Sequence, residues 1–383
     1  MNKSKALLVT GMALLGSALA QTTLKIGFVS PLSGELAPYG EPAKNGAQIA
    51  VEQAQARFAK LGFKLELSVQ DDQANPDTSV AVARRLINDP DVLGVVGPLT
   101  SGTAIPASVA FKEGNLAMVV PVASNPTLTE RGLKNVFRVY GRDDVQGPAG
   151  AEYAVKTLGV KRVFVVHDKG AYGQGVAQAF AERAKALGAQ VIAVVGTEEK
   201  VNFQPLVAQM QAAKPDLVYF GGYHDRAAPL LTQMRQRGVT ALFMGPDGFD
   251  NSEFVRLAGA ATKGIYYTSP AGPASQYPSA KPFVEAYKAK FGKEPEPFAL
   301  FGYDSAQVII AGLEAAIRAN GGQKPSREQV VQAISKVKLN GATGEIAFDA
   351  KGDRTLARYF IIQLKDGTFP GVVLKSVAVG AAK

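Results

Sequence analysis

Two serines follow apolar runs in a pattern that suits the binding of a small anion. Ser101 comes after the predicted strand Val92–Gly97 and directly before an Ala-rich helix. Ser124 takes the same place one unit later, after strand Leu116–Val120, with Pro126 near the first helical turn. Both are predicted helix N-caps, and a helix N-terminus offers free backbone N–H groups and a positive dipole end to an anion. The pair predicts a carboxylate site; plain structural caps are the alternative interpretation of both serines.

Further polar and aromatic residues stand at the ends of other predicted strands. In open α/β sheets, ligands bind outside the carboxyl ends of the strands, so these side chains should meet the two serines in one cleft. An acid and tyrosines that face two helix N-termini suit a zwitterion. The residues are Tyr39, in the predicted loop Gly34–Gly40, and Tyr172, Tyr223 and Asp247 in the second half of the chain.

The sequence offers little to a catalyst. His167 and His224 are the only histidines and there is no Cys, which excludes a Cys/His metal site, and we expect neither a metal nor a cofactor. Neither a G-x-S-x-G nucleophile elbow nor a phosphate-binding P-loop occurs. The glycines of Gly170–Gly175 follow the order G-x-x-G-x-G, which is not the dinucleotide fingerprint. We therefore predict a binding protein and no enzyme; an exported hydrolase that uses one histidine is an alternative.

The elements that must position these residues alternate along the chain as βα units. A first series of buried strands and helices ends near Gly141, where the pattern restarts with a predicted helix, Gln146–Leu158. A second series runs to strand Gly264–Thr268, and three helices and a β-rich end follow. Repeated βα units predict doubly wound parallel sheets with right-handed crossovers. We therefore predict an α/β protein with two such lobes.

Composition and the N-terminus indicate an exported protein. A chain of 383 residues favours two domains, and its net charge of +9 is spread without a basic run, so no nucleic-acid partner is predicted. Lys3 and Lys5 precede the apolar run Ala6–Leu15, which ends in the cleavage-site pattern Ser17–Ala20. This is the pattern of a secretory signal peptide over residues 1–20. The mature chain should begin near Gln21 and be soluble in the periplasm or another extracytoplasmic space.

Several stretches resemble the periplasmic leucine/isoleucine/valine-binding proteins of ABC importers. The resemblance implies the type I periplasmic binding fold, a Venus flytrap of two α/β lobes joined by three crossing strands near Gly141, Pro270 and Arg354–Arg358. The lobes would comprise residues 21–141 plus 271–354 and residues 142–270 plus 355–383. The matching stretches are Leu24–Tyr39, Gly97–Ser108, Pro121–Gly132, His167–Gly175, Gly221–His224 and Phe243–Gly248.

The resemblance also assigns roles within the cleft. Ser101 and Ser124 should hold the α-carboxylate of an L-amino acid, most simply Leu, Ile or Val. Its α-ammonium should meet the Val122 carbonyl, Tyr223 and Asp247, although the family often has Glu at the position of Asp247. The residues that should shape the side-chain pocket are Leu99, Thr100, Tyr39, Tyr172 and Phe298.

The resemblance implies a protein that closes on its ligand and docks on an ABC permease, and an exported monomer is the default expectation. Better-known members carry a disulfide near the cleft, where this chain has Ala74 and Thr100. Two further interpretations stay open: the same fold serving as a sensor for an amide, urea or aromatic acid, and a purely structural surface protein.

Overall fold

The computed structural model describes residues 21–380, so the predicted signal peptide lies outside the described residues. The first lobe is built on a five-stranded parallel sheet with helices on both faces. Its strands are β1 (Thr22–Ser30), β2 (Phe63–Asp71), β3 (Val92–Val96), β4 (Ala117–Val120) and β5 (Val136–Arg138), in the order β2-β1-β3-β4-β5. Its helices are α1 (Ala37–Lys60), α2 (Pro76–Asn88), α3 (Ser101–Glu113) and the short α4 (Thr127–Glu130). β3 and β4 are buried along their whole length, which explains their continuous apolar sequences.

The chain then builds most of the second lobe. Its strands are β6 (Arg162–His167), β7 (Gln190–Gly196), β8 (Leu217–Gly221), β9 (Leu242–Gly245) and β10 (Tyr266–Ser269). Its helices are α5 (Asp143–Glu152), α6 (Ala171–Ala186), α7 (Gln204–Ala213), α8 (His224–Gln236) and α9 (Ser252–Ala258). The last part comprises α10 (Lys281–Phe291), α11 (Pro297–Ala319), α12 (Arg327–Ile334), the hairpin β11 (Leu339–Gly341) and β12 (Gly344–Ile346), and strands β13 (Leu356–Gln363) and β14 (Val372–Gly380).

The last part is divided between the two lobes. Helices α11 and α12 pack on strands of the first sheet, whereas β13 and β14 join the second sheet as antiparallel strands. The second sheet therefore has seven strands in the order β14-β13-β10-β9-β8-β6-β7. Two wound sheets with helices confirm the predicted fold class. The chain passes between the sheets at residues 139–142, after Ser269, and at residues 353–355; the lobe boundaries given above stay a prediction.

Several predicted element boundaries are wrong. Tyr39 lies in the first turn of α1 and not in a loop, because the helix starts at Ala37 without a side-chain cap to mark it. Tyr172 was predicted to end the loop Asp168–Tyr172, but it lies at the start of α6, which also lacks a side-chain cap. Helix α5 begins at Asp143, three residues before the predicted start, and continues as a π-helical turn over Tyr153–Thr157. Helix α9 was not predicted.

Helices α1 and α11 cross with their backbones in contact. A β-carbon on Gly302 would lie 2.0 Å from the Ala43 carbonyl oxygen, and one on Gly46 would lie 2.0 Å from the Ala299 carbonyl oxygen. No side chain fits at these two positions without moving one helix away from the other. Glycine is therefore required at this crossing by packing.

Gly302→Ala should destabilise the protein by about 1–3 kcal/mol, the usual effect of overpacking a filled core. Urea unfolding followed by circular dichroism measures this change. The matched control is Gly102→Ala in α3, where the added methyl group meets open space and should stabilise the helix by about 0.5–1 kcal/mol. Equal stabilities for the two variants would contradict this account of the crossing.

Candidate ligand-binding site

A cavity lies between the two lobes, at the carboxyl ends of their strands. All the predicted site residues except Thr100 line it. Two further residues, Ala123 and Gly248, were missed because neither carries a side chain that signals binding. The complete lining is Tyr39, Leu99, Ser101, Val122, Ala123, Ser124, Tyr172, Tyr223, Asp247, Gly248 and Phe298.

Ser101 was predicted to be the N-cap of α3, and this prediction is wrong. The N-cap is Thr100. Thr100 has extended backbone angles and its hydroxyl oxygen accepts the Thr103 N–H at 3.3 Å. Both residues can cap a helix, and only the backbone conformation decides which one does. Thr100 is thereby withdrawn from the cavity and faces the mouth of the cleft. Ser101 begins the helix, and its Oγ accepts the Asn125 N–H at 3.2 Å, which leaves its own proton for a ligand.

Ser124 is not an N-cap either. Only the four-residue α4 follows it, with Pro126 at the cap position and no side-chain cap bond. The Asn125 side chain instead accepts the Thr127 N–H at 2.9 Å. The Ser124 carbonyl accepts the Asp143 N–H at 3.0 Å, which ties this loop to the start of α5. Freed from capping, both serine side chains contribute to the cavity wall in the first lobe.

The acid at the other side of the cavity is held by three uncharged donors. Asp247 follows β9 in a short 3-10 turn and is 2% exposed. Its carboxylate accepts the Tyr172 hydroxyl at 2.7 Å, the Gln146 Nε2 at 2.7 Å and the Tyr140 hydroxyl at 2.9 Å. Burial raises the pKa of Asp247, and the three donors oppose that effect. A buried carboxylate with only neutral partners favours a ligand cation beside it.

Tyr140 and Gln146 were not identified from the sequence as parts of the site. Tyr140 lies on the first passage between the lobes, and Gln146 lies near the start of α5. Gln146 also donates to the Thr268 carbonyl at 2.9 Å, so it connects α5, β10 and the acid.

The two lobes touch directly across the cavity. The Tyr39 hydroxyl, from the first lobe, donates to the Gly248 carbonyl at 2.6 Å and accepts the His224 N–H at 3.2 Å. The His224 Nδ1 lies 2.6 Å from the same hydroxyl, and burial lowers the pKa of His224 to about 4, so its ring is neutral. Asn125 donates to the Ala171 carbonyl at 2.6 Å. These contacts define a closed cleft.

Comparisons with known proteins bear on this arrangement. A family model described as periplasmic binding protein matches residues 23–368. The Leu/Ile/Val-binding protein BraC3 of Rhizobium johnstonii is 37% identical over 366 residues, which cover 95% of this chain and 98% of that protein. The crystal structure of the leucine binding protein LivK from Thermotoga maritima has a TM-score of 0.84 at 30% identity, over 92% of this chain and 98% of that one. LivJ from Streptococcus pneumoniae, in complex with isoleucine, has a TM-score of 0.82 at 27% identity, over 94% and 100%.

Proposed function

This chain belongs to the periplasmic binding protein family, and we propose that it captures an L-amino acid, Leu, Ile or Val, and delivers it to the permease of an ABC importer. The observation that carries the proposal is one closed cavity with two free serine hydroxyls on one lobe and the buried Asp247 carboxylate on the other. The ligand class named for the relatives, which include a Leu/Ile/Val-binding protein and a complex with isoleucine, supports the same proposal. The protein acts outside the cytoplasm after removal of residues 1–20, as a monomer and without catalysis.

The cavity lining suits the two charged ends and the apolar side chain of such a ligand. Ser101 and Ser124 donate hydrogen bonds to the α-carboxylate near the N-terminus of α3. The α-ammonium donates to Asp247, to the Val122 carbonyl and to the Tyr223 hydroxyl. The side chain packs among apolar and aromatic groups, which are Leu99, Tyr39, Phe298 and Tyr172.

Capture proceeds by closure of the lobes. The ligand binds first to the serines of the first lobe, and the second lobe then brings Asp247 and the tyrosines onto it. The closed form is favoured because only there does the ligand contact both lobes. The permease recognises that closed form.

Thermal unfolding of residues 21–383 with a ligand panel tests the proposal. The protein is refolded first to remove bound ligand, and the panel contains the twenty L-amino acids, urea, acetamide and benzoate. A ligand at 100 times its dissociation constant stabilises the folded state by about 2.7 kcal/mol, which raises the midpoint visibly. We expect Leu, Ile and Val to raise it. If only urea, acetamide or benzoate raised the midpoint, the protein would still be a binding protein, but the proposed site for an amino acid would be wrong. If no ligand raised it, the protein would not bind any member of the panel.

Tyr39→Phe should weaken L-leucine binding about 3- to 10-fold. The variant keeps the ring in the cavity wall but loses the hydroxyl that joins the first lobe to Gly248 and His224, and one such hydrogen bond contributes about 0.5–1.5 kcal/mol. Isothermal titration measures the affinity. Tyr303→Phe is the control, since its hydroxyl donates to Gln53 on the surface of the first lobe, at 2.9 Å. An unchanged affinity for Tyr39→Phe would mean that this contact does not favour closure.

A further inference from the structure

The Tyr39 hydroxyl has three partners at hydrogen-bond distance in the second lobe. Its oxygen lies 2.6 Å from the Gly248 carbonyl oxygen, 2.6 Å from the His224 Nδ1 and 3.2 Å from the His224 backbone nitrogen. Tyr39 is 1% exposed and His224 is 2% exposed, so both groups are shielded from bulk water. The proposed function uses the Tyr39 ring as a wall of the side-chain pocket and gives His224 no role.

The two short distances decide which nitrogen of the His224 ring carries a proton. A tyrosine hydroxyl has one proton to donate. If Tyr39 donated it to His224 Nδ1, the hydroxyl oxygen would face the Gly248 carbonyl oxygen at 2.6 Å with lone pairs on both atoms, which repel each other. If Nδ1 carries a proton, Nδ1 donates to Tyr39 and Tyr39 donates to Gly248, so both contacts are hydrogen bonds. Burial lowers the pKa of His224 to about 4, so near neutrality the ring has a single N–H, which is at Nδ1.

This arrangement uses the whole hydrogen-bonding capacity of the Tyr39 hydroxyl. Its proton is donated to Gly248, and its two lone pairs accept the Nδ1–H and the backbone N–H of His224. The neighbouring Tyr172 hydroxyl donates its proton to Asp247 at 2.7 Å and accepts the Gly248 N–H at 2.9 Å. Neither tyrosine therefore has a proton left for a ligand side chain, and Tyr39 has no lone pair left either.

A hydroxyl whose bonds are all made behaves as an apolar surface toward a ligand. A ligand hydroxyl or amide placed against it would lose its hydrogen bonds to water without replacement, which weakens binding. An aliphatic side chain has no such bonds to lose. The other rings beside Tyr39 in the cavity wall are those of Tyr223 and Phe298, with centroids 5.5 Å and 5.7 Å from its own.

Resting on the proposed function, we propose that His224 is a specificity-determining positioning residue: its Nδ1–H and backbone N–H occupy the Tyr39 oxygen, so that the side-chain pocket accepts aliphatic amino acids and rejects those with a hydroxyl or amide. His224 is not among the described residues that line the cavity, and it acts through Tyr39. The hydrogen bonds of the wall thereby select the ligand class.

Isothermal titration with L-leucine and L-asparagine tests this inference, because the two side chains have nearly the same shape and differ in polarity. Wild type should bind leucine at least about 10-fold more tightly than asparagine. In His224→Leu, the Tyr39 oxygen regains a lone pair that can accept from the asparagine amide, so the preference for leucine should fall by about 3-fold or more. Adding Tyr39→Phe to His224→Leu removes that oxygen and should restore the preference.

The matched control is His224→Asn, whose side-chain N–H can replace the Nδ1–H as a donor to Tyr39 and should keep the preference for leucine. A purely structural role of His224 would weaken the binding of both ligands alike. An unchanged preference in a folded His224→Leu variant would therefore overturn the inference.

A second measurement uses the unsubstituted protein and does not depend on the folding of a variant. The chain has two histidines, so nitrogen NMR of histidine-labelled protein resolves both rings, and His167→Asn assigns their signals. With L-leucine bound at neutral pH, the His224 ring should be protonated at Nδ1; a proton on Nε2 instead would overturn the inference. If wild type bound no amino acid, the proposed function would fail together with the inference. If wild type bound leucine but did not prefer it to asparagine, the inference alone would fail.

Discussion

Asp247→Ala is expected to weaken L-leucine binding by a factor of about 100 or more. Among the described residues that line the cavity, Asp247 is the one acidic side chain, so the variant leaves the ligand ammonium buried without a counter-charge, a loss of about 3–5 kcal/mol for a buried pair. The donors Tyr140, Gln146 and Tyr172 lose their acceptor at the same time. Isothermal titration of refolded protein measures the change.

The control for Asp247→Ala is a carboxylate far from the cleft. Asp366 lies in the exposed turn between β13 and β14, and Asp366→Ala should bind L-leucine like wild type. Circular dichroism melts of the ligand-free proteins establish that both variants are folded. A folded Asp247→Ala variant that binds within about 3-fold of wild type would remove Asp247 from the ammonium site.

Asp353→Asn is expected to destabilise the whole protein by about 3–5 kcal/mol. Asp353 lies where the chain leaves the first lobe for the last time. Its carboxylate lies 2.6 Å from Arg138 Nη2 and 2.7 Å from Arg142 Nη1, and it accepts the Thr129 hydroxyl at 2.8 Å. The Arg138 side chain is 0% exposed, so the variant leaves a guanidinium buried without its anion. The midpoint of urea unfolding, read with the slope of the transition, measures the loss.

The matched control uses the exposed member of the same network. Glu130 pairs with Arg142 at 2.9 Å on the surface, where ion pairs contribute little, and Glu130→Gln should leave the unfolding midpoint nearly unchanged. If Asp353→Asn changed stability no more than Glu130→Gln does, the buried pair would not be what stabilises this junction.

The stabilisation by Asp353 should also depend on pH in a defined direction. Burial raises the pKa of its carboxyl, but Arg138, Arg142 and Thr129 outweigh burial, so the net pKa is below the ordinary 3.8. A lowered pKa in the folded state means that the contribution is complete above the unfolded value and is lost as the pH falls through the lowered one. The difference in stability between wild type and Asp353→Asn should therefore shrink in strong acid and stay constant near neutrality.

Sequence alone was sufficient for the class of fold and for most of the cavity lining. Buried parallel strands have near-continuous apolar sequences, so β3, β4 and β8 are recognisable from local composition. The carboxyl ends of parallel strands meet at one edge of a sheet, so residues that follow those strands, such as Ser101, Ser124 and Asp247, could be expected to meet. The family resemblance, confirmed by the comparisons, added Leu99, Val122 and Phe298 to that set.

Only the tertiary structure shows which neighbouring residues hold the side chains that line the cavity. Thr100 and Ser101 are equally able to cap α3, and the backbone angles at Thr100 settled the choice and removed Thr100 from the cavity. Gln146 and Asp247 are 101 residues apart, and Arg138 and Asp353 are 215 apart. Local periodicity indicates which face of a helix or strand is buried, but it does not identify pairs of residues that are so far apart in the sequence. The networks around Asp247 and Asp353 arise only where the passages between the lobes bring distant parts of the chain together.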